Sequence, residues 1–173
     1  MRAPRATLAT VGLVLAVGAC GKREPQYTGI GPYRVDKLQL KDAKGRCEPT
    51  DLPDGRKGTW CFLLPDMIVA GRPASVDLYF LGVEPTAPVI EIQLQIKGCH
   101  EDELGMWLRS RFGQPSEARP TWLAWQNRKI FVVGELPTSP GRCMVRVLPA
   151  REQTEFERLR REAPGAPAPA PTP

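Results

Sequence analysis

The chain contains no apolar run long enough to cross a bilayer. The longest, residues 8–17, falls well short of the roughly 20 residues that a spanning helix needs. There is a single histidine, His100, so histidine pairs that bind metals or relay protons are excluded. No two cysteines stand at the C-x2-4-C spacing of a four-thiolate zinc site. No G-x-S-x-G elbow occurs, and Ser75, Ser110, Ser116 and Ser139 have no recognisable base partner, which leaves nucleophilic catalysis without a candidate. The sequence has no internal repeat. Strong charge of one sign is also missing: 24 Lys and Arg face 19 Asp and Glu, a net +5, which argues against a nucleic-acid partner.

What is present begins at the first residue. Arg2 and Arg5 precede the apolar run, small residues follow, and Cys20 closes the segment, the layout of an export signal over residues 1–19. Val17, Gly18, Ala19 and Cys20 resemble the lipobox of bacterial lipoproteins: an aliphatic residue, two small ones and a cysteine. That resemblance implies cleavage before Cys20, a diacylglycerol on its thiol and a further acyl chain such as palmitate on its amine. Gly21, where enteric bacteria use Asp to retain a lipoprotein at the inner membrane, implies the outer membrane, with the domain facing the periplasm or the cell surface. Two or more acyl chains hold a protein at a membrane stably, each buried methylene contributing about 0.8 kcal/mol. A secretory signal cut after Ala19 is the competing reading and leaves Cys20 free. Loss of Arg2 and Arg5 takes the net charge from +5 to +3.

With Cys20 set aside, Cys47, Cys61, Cys99 and Cys143 remain, an even number suited to disulfides in an oxidising compartment. Three connectivities exist. Pro53-Asp54-Gly55 is a turn signal midway between Cys47 and Cys61, so a hairpin there sets those two opposite each other and leaves Cys99 with Cys143.

Residues 20–32 read as a lipidated tether, 33–162 as one globular domain, large enough for a single core, and 163–173 as a Pro/Ala-rich disordered tail. Within the domain, 33–40 reads as a strand whose apolar positions change phase at Asp36-Lys37, as a bulge would cause. Residues 59–64 form the return strand of the stapled hairpin, 67–70 are a short apolar piece, and 75–83 read as a central strand. In 89–97, Ile90, Ile92, Leu94 and Ile96 alternate with Glu91, Gln93, Gln95 and Lys97, so one face is expected buried and the other wet. The two strands pair antiparallel through the loop at 84–88. A helix follows: Glu101, Asp102 and Glu103 at its start and Arg109 and Arg111 at its end complement the helix dipole. Leu104, Trp107, Leu108 and Phe112 share one face, Gly113 caps it, and Pro115 stops it. It is expected to pack across the sheet, pinned by Cys99. Strands at 121–125 and 129–136 form a hairpin turning at Gln126-Asn127-Arg128, and 143–148 follows the turn Pro140-Gly141. Residues 150–162 read as a C-terminal helix with a thin stripe, Phe156 and Leu159, and Arg151/Glu155, Glu157/Arg161 and Arg158/Glu162 pairs. The class is α+β: a mainly antiparallel sheet of five to eight strands, one packed helix and two disulfides.

His100 with Glu101, Asp102 and Glu103 is the first candidate constellation. Consecutive helical residues point in different directions, so an acid-rich helix start is the simpler reading. The second is Trp122 and Trp125 with Arg119, Arg128 and Lys129, aromatic faces beside cations that suit glycan, peptide or anionic-polymer recognition. Strand alternation puts the two tryptophans on opposite faces, with Trp125 expected to be the exposed one. The nominated binding residues are therefore Trp125, Arg128, Lys129 and Arg119. No cofactor or metal is indicated.

Gly105-Met106, then Phe112-Gly113-Gln114-Pro115, then a tryptophan-bearing hairpin resemble the SmpA/OmlA-like class of small lipid-anchored outer-membrane assembly accessory domains, over residues 104–133. The class places two helices before its sheet, whereas strands come first here. The expectation is a non-enzymatic envelope lipoprotein that binds an envelope protein or glycan. The alternative is an envelope hydrolase, which carboxylates from distant strands meeting in one concave pocket would favour.

Overall fold

A computed structural model describes residues 27–137 and 141–166. The export signal, Cys20, Pro140 and the tail from residue 167 lie outside these described residues. Among them, no helix is long and apolar enough to cross a membrane.

The described chain runs β1 (Gly29–Ile30), β2 (Tyr33–Arg34), a 3-10 turn (Leu40–Asp42), β3 (Arg46–Asp51), β4 (Lys57–Phe62), β5 (Met67–Val69), β6 (Arg72–Leu81), β7 (Val89–Cys99), α1 (Glu101–Phe112), β8 (Glu117–Arg119), β9 (Trp122–Gln126), β10 (Ile130–Glu135), β11 (Gly141–Pro149) and α2 (Gln153–Glu162). One nine-stranded antiparallel sheet runs β3-β4-β6-β7-β11-β10-β9-β8, with β5 beside β6. Two helices pack on it rather than one, and the strand number exceeds the expected five to eight. The surplus comes from short strands, β5 and β8, whose three residues carry little periodicity.

The strands alternate as a two-sided sheet requires. Ala74, Val76, Leu78 and Phe80 of β6 point to the same side as Ile92, Leu94 and Ile96 of β7 and Val145 and Val147 of β11. Leu104, Leu108 and Phe112 of α1 cover that side, each contributing about 1.5–3 kcal/mol by burial. The helix sits close because Gly134 lets it: a Cβ there would lie 2.6 Å from Leu108 Cδ1. Gly113, at φ 80°, ends the helix by donating its N–H to Arg109 O at 2.9 Å. Both disulfides form as read from the turn: Cys47 faces Cys61 in the β3–β4 register, and Cys99 is bonded to Cys143 where β7 meets β11.

The second side is covered over only part of its width. Phe156, Leu159 and Ala163, in α2 and just after it, pack on Trp122, Ala124, Phe131, Val133 and Leu148 from β9, β10 and β11. So α2 is docked, with Phe131 and Phe156 stacked at 4.3 Å. It starts at Gln153 rather than at residue 150, because the Ala150 N–H is still donated across to Lys129 O at 2.8 Å and Glu152 N–H closes a turn onto Pro149 O at 2.9 Å. Arg158 holds both Glu155 and Glu162 on its surface.

Three further expectations are corrected. The strand at 33–40 ends at Arg34, because Lys37 and Leu38 both donate to Arg34 O and close a turn, and the apparent phase change is that turn rather than a bulge. Residues 27–32, read as tether, are partly packed: Ile30 is buried in the first core. Glu91 and Gln93 of β7 are buried, not wet, at 7% and 9% exposure. Ile90 is the extra residue of a bulge, since Tyr79 pairs with Glu91 while Phe80 pairs with Val89.

Candidate functional site: the open half of the sheet

The four nominated binding residues do not form one site. Trp125 is 6% exposed, not the outward ring expected, and its indole Nε1 donates to Gly113 O at 2.9 Å. Opposite orientation is right for the two tryptophans, but each side of the sheet has its own helix, so both rings are covered: Trp125 beside Phe112 of α1, Trp122 beside Phe156 of α2. Arg119 is a structural residue, bonded to Glu117 and to the carbonyls of Arg160 and Ala163 beneath the end of α2, with its guanidinium over the Trp122 ring at 4.8 Å. Arg128 and Lys129 are exposed at the hairpin turn, away from Arg119. Trp125 does line a recess of about 290 Å³ with Tyr27, Phe112, Ile130 and Val132, but as part of its wall. His100 makes no side-chain cap to α1, and Glu103 pairs with Arg72. Among the described residues, no group of three or more His, Cys, Asp or Glu is placed to hold a metal.

The second side of the sheet carries a different grouping, which the described residues leave open over β4 and β6 and which the start of α2 borders over β7 and β11. Cys61 points into the first core, so its neighbours Trp60 and Phe62 point to the open side. Register then builds rows across strands: Glu48, Trp60, Tyr79 and Glu91 are successive partners over β3, β4, β6 and β7. Asp77, Gln93 and Arg146 are partners over β6, β7 and β11, and Ser75, Gln95 and Met144 form the next row. Phe62 and Trp60 are stacked at 4.3 Å, and the Trp60 and Tyr79 rings run within 12° of parallel at 6.4 Å. All three rings are half-buried. The Arg46 guanidinium lies 5.8 Å from the Phe62 centroid.

The polar groups of these rows are held in fixed positions. Arg146 donates Nη1 to Glu91 Oε1 and Nε to Glu135 Oε1, each at 2.9 Å, and Gln93 Nε2 donates to Glu91 Oε1 at 3.0 Å. Burial pushes the Glu91 carboxyl above its ordinary range, and the Arg146 charge opposes this in part. Gln95 Nε2 donates to Asp77 Oδ2 at 3.3 Å, and burial also raises the Asp77 carboxyl, with the nearby Trp60 indole and Gln95 amide working against it. Burial, then the charges of Asp77 and Glu91, push the Tyr79 hydroxyl up to about 12, so it is a neutral donor at any physiological pH.

At the α2 border the rows deepen into a cleft of about 260 Å³ lined by Tyr79, Glu91, Gln93, Arg146, Glu152 and Glu155 with the β3–β4 turn. Arg56 of that turn bridges Asp54 and Glu152, both at 2.5 Å, and so ties the hairpin to the start of α2. The signal for this surface was the T-W-C-F run itself: an inward disulfide cysteine forces the flanking aromatics outward together.

No protein-family model, curated protein or solved structure matches the chain.

Proposed function

We propose that the chain is a lipid-anchored cell-envelope protein, held through Cys20 in the outer membrane, that works as a non-enzymatic binding or accessory module. The lipobox at residues 17–20 supports the anchor, and two disulfides suit an oxidising compartment. The resemblance over residues 104–133 adds an accessory role in envelope assembly. The observation that carries the binding reading is the half-face that the described residues leave open beside α2, where three half-buried rings in a row adjoin fixed polar side chains. This moves the ligand surface from the Trp125 hairpin, whose ring is enclosed, to Trp60, Phe62 and Tyr79.

Acyl labelling with radioactive palmitate, compared with Cys20→Ser, tests the anchor: the account requires label on the first and none on the second. Capture of envelope components by the detergent-solubilised protein tests the surface: Trp60→Ala abolishes it and Arg128→Ala leaves it intact, and the reverse pattern returns the site to the hairpin.

One observation favours the hydrolase reading as a second possibility: Glu91, Glu152 and Glu155, from β7 and the α2 region, meet in one cleft. Against it, an arginine holds each of them, Arg146, Arg56 and Arg158 respectively, so none stands free as acid or base. Release of reducing ends from envelope glycans that Glu91→Gln abolishes would establish the enzyme.

A further inference from the structure

The ligand class of the open half-face follows from what it offers and what it withholds. It offers ring surface, from Phe62, Trp60 and Tyr79, beside half-buried polar groups: the Gln95 amide, which can donate and accept, and the Asp77 carboxyl, which accepts. It withholds free cations. Arg46 is paired with Glu48 at 2.7 Å, and Arg146 with both Glu91 and Glu135, so both guanidinium groups are engaged and the rows carry a surplus of carboxyl groups, Asp77 among them. It offers little aliphatic surface: Met144 is half-buried, and the exposed large hydrophobics Leu63, Ile68, Val83 and Met106 all lie off these rows. A protein partner draws its energy from apolar and aromatic anchors in desolvated pockets, and an anionic polymer needs unpaired cations. Neither matches a shallow sheet face whose two arginines are both paired. An uncharged polyhydroxylated chain does, because its C–H faces lie on aromatic rings while its hydroxyls exchange hydrogen bonds with amides and carboxyls.

We propose that this face binds a neutral glycan strand of the cell wall, laid across the strands from the Phe62 and Trp60 rings toward Gln93 and the Arg146 cleft. The inference rests on the envelope-binding reading above, which places the domain beside that polymer. From β4 through β6 and β7 to β11 is three strand spacings, about 14 Å, room for several sugar rings in a row. The order of the rows assigns roles: rings at one end stack, Asp77 and Gln95 at the centre read hydroxyls or acetamido groups, and the Glu152–Arg56 bridge borders the cleft beside them.

The test uses the full chain in detergent, with insoluble cell-wall sacculi in a sedimentation assay and soluble tetrasaccharides of N-acetylglucosamine and of glucose as competitors. The expected result is co-sedimentation that the N-acetylated tetrasaccharide displaces, that Trp60→Ala weakens at least about tenfold, and that Asp77→Asn and Tyr79→Phe weaken less. The two conservative variants keep the test valid if Trp60→Ala fails to fold, since each preserves shape. Absence of sedimentation with sacculi overturns the glycan inference, as does sedimentation that survives all three substitutions. A photoreactive residue at Phe62 in living cells then separates the two levels. A single crosslinked protein, with no glycan binding, overturns the glycan strand and keeps the binding module; no adduct of any kind removes both.

Discussion

Glu91 on β7 and Arg146 on β11 are joined at 2.9 Å with both side chains largely out of solvent, at 9% and 19% exposure. Such a pair is strong only while complete. Removing one partner leaves an uncompensated buried charge, at a cost of about 3–5 kcal/mol. Arg146→Gln is therefore expected to destabilise the domain by about 3 kcal/mol at neutral pH, and by less in acid, where Glu91 takes up a proton. Denaturant unfolding at pH 7 and pH 5 measures both.

The same pair sets an unusual pH dependence. Burial raises the folded-state carboxyl of Glu91 above its ordinary value of 4.5. Between the unfolded and folded values the native state therefore holds the extra proton, so this group's contribution is fully present below 4.5 and is lost as pH rises through the raised value. Glu91→Gln is expected to remove that loss, flattening the fall in Tm above pH 4.5 relative to the wild type.

The disulfides enclose loops of different size, 14 residues for Cys47–Cys61 and 44 for Cys99–Cys143. Loop closure predicts about 3 kcal/mol of stabilisation from the first and about 4 kcal/mol from the second. Cys99→Ala with Cys143→Ala is expected to lower stability more than the Cys47/Cys61 double substitution, and chemical denaturation of the two proteins compares them.

The pairing of these cysteines was legible because turn chemistry at Pro53-Asp54-Gly55 is local, and α1 was legible because Leu104, Leu108 and Phe112 recur at helical period with charged ends. The burial of Glu91 and Gln93 was not. Their cover comes from Arg146 and from the Glu152–Glu155 region, more than fifty residues later, and no strand pattern carries information about what lies above the sheet. Trp125 failed for the same reason: alternation places it on a face but cannot say that a helix end encloses it. The open aromatic group was half legible, in T-W-C-F, and the missing half was the β4–β6 register that brings Tyr79 beside Trp60.

The approach of α1 to the sheet at Gly134 is equally testable. Gly134→Ala sets a methyl 2.6 Å from Leu108 Cδ1 and is expected to cost about 1–3 kcal/mol. Leu108→Ala, itself costly, is expected to absorb that methyl, so the double substitution is more stable than the sum of the singles, as a double-mutant cycle reads out.

Leu63 is 76% exposed and holds φ at 55°, a conformation that costs a side-chain-bearing residue about 1–2 kcal/mol. Leu63→Gly relieves it and is expected to raise stability by about 0.5–1 kcal/mol after the added chain entropy, seen as a higher Tm.

The central claim, that the open half of the second sheet side is the working surface, is tested most directly by placing a photoreactive residue in turn at Phe62 and at Arg128 in living cells and recovering what is crosslinked. The account predicts an envelope adduct from Phe62 and none from Arg128. An adduct from Arg128 alone would contradict it and restore the hairpin turn as the site.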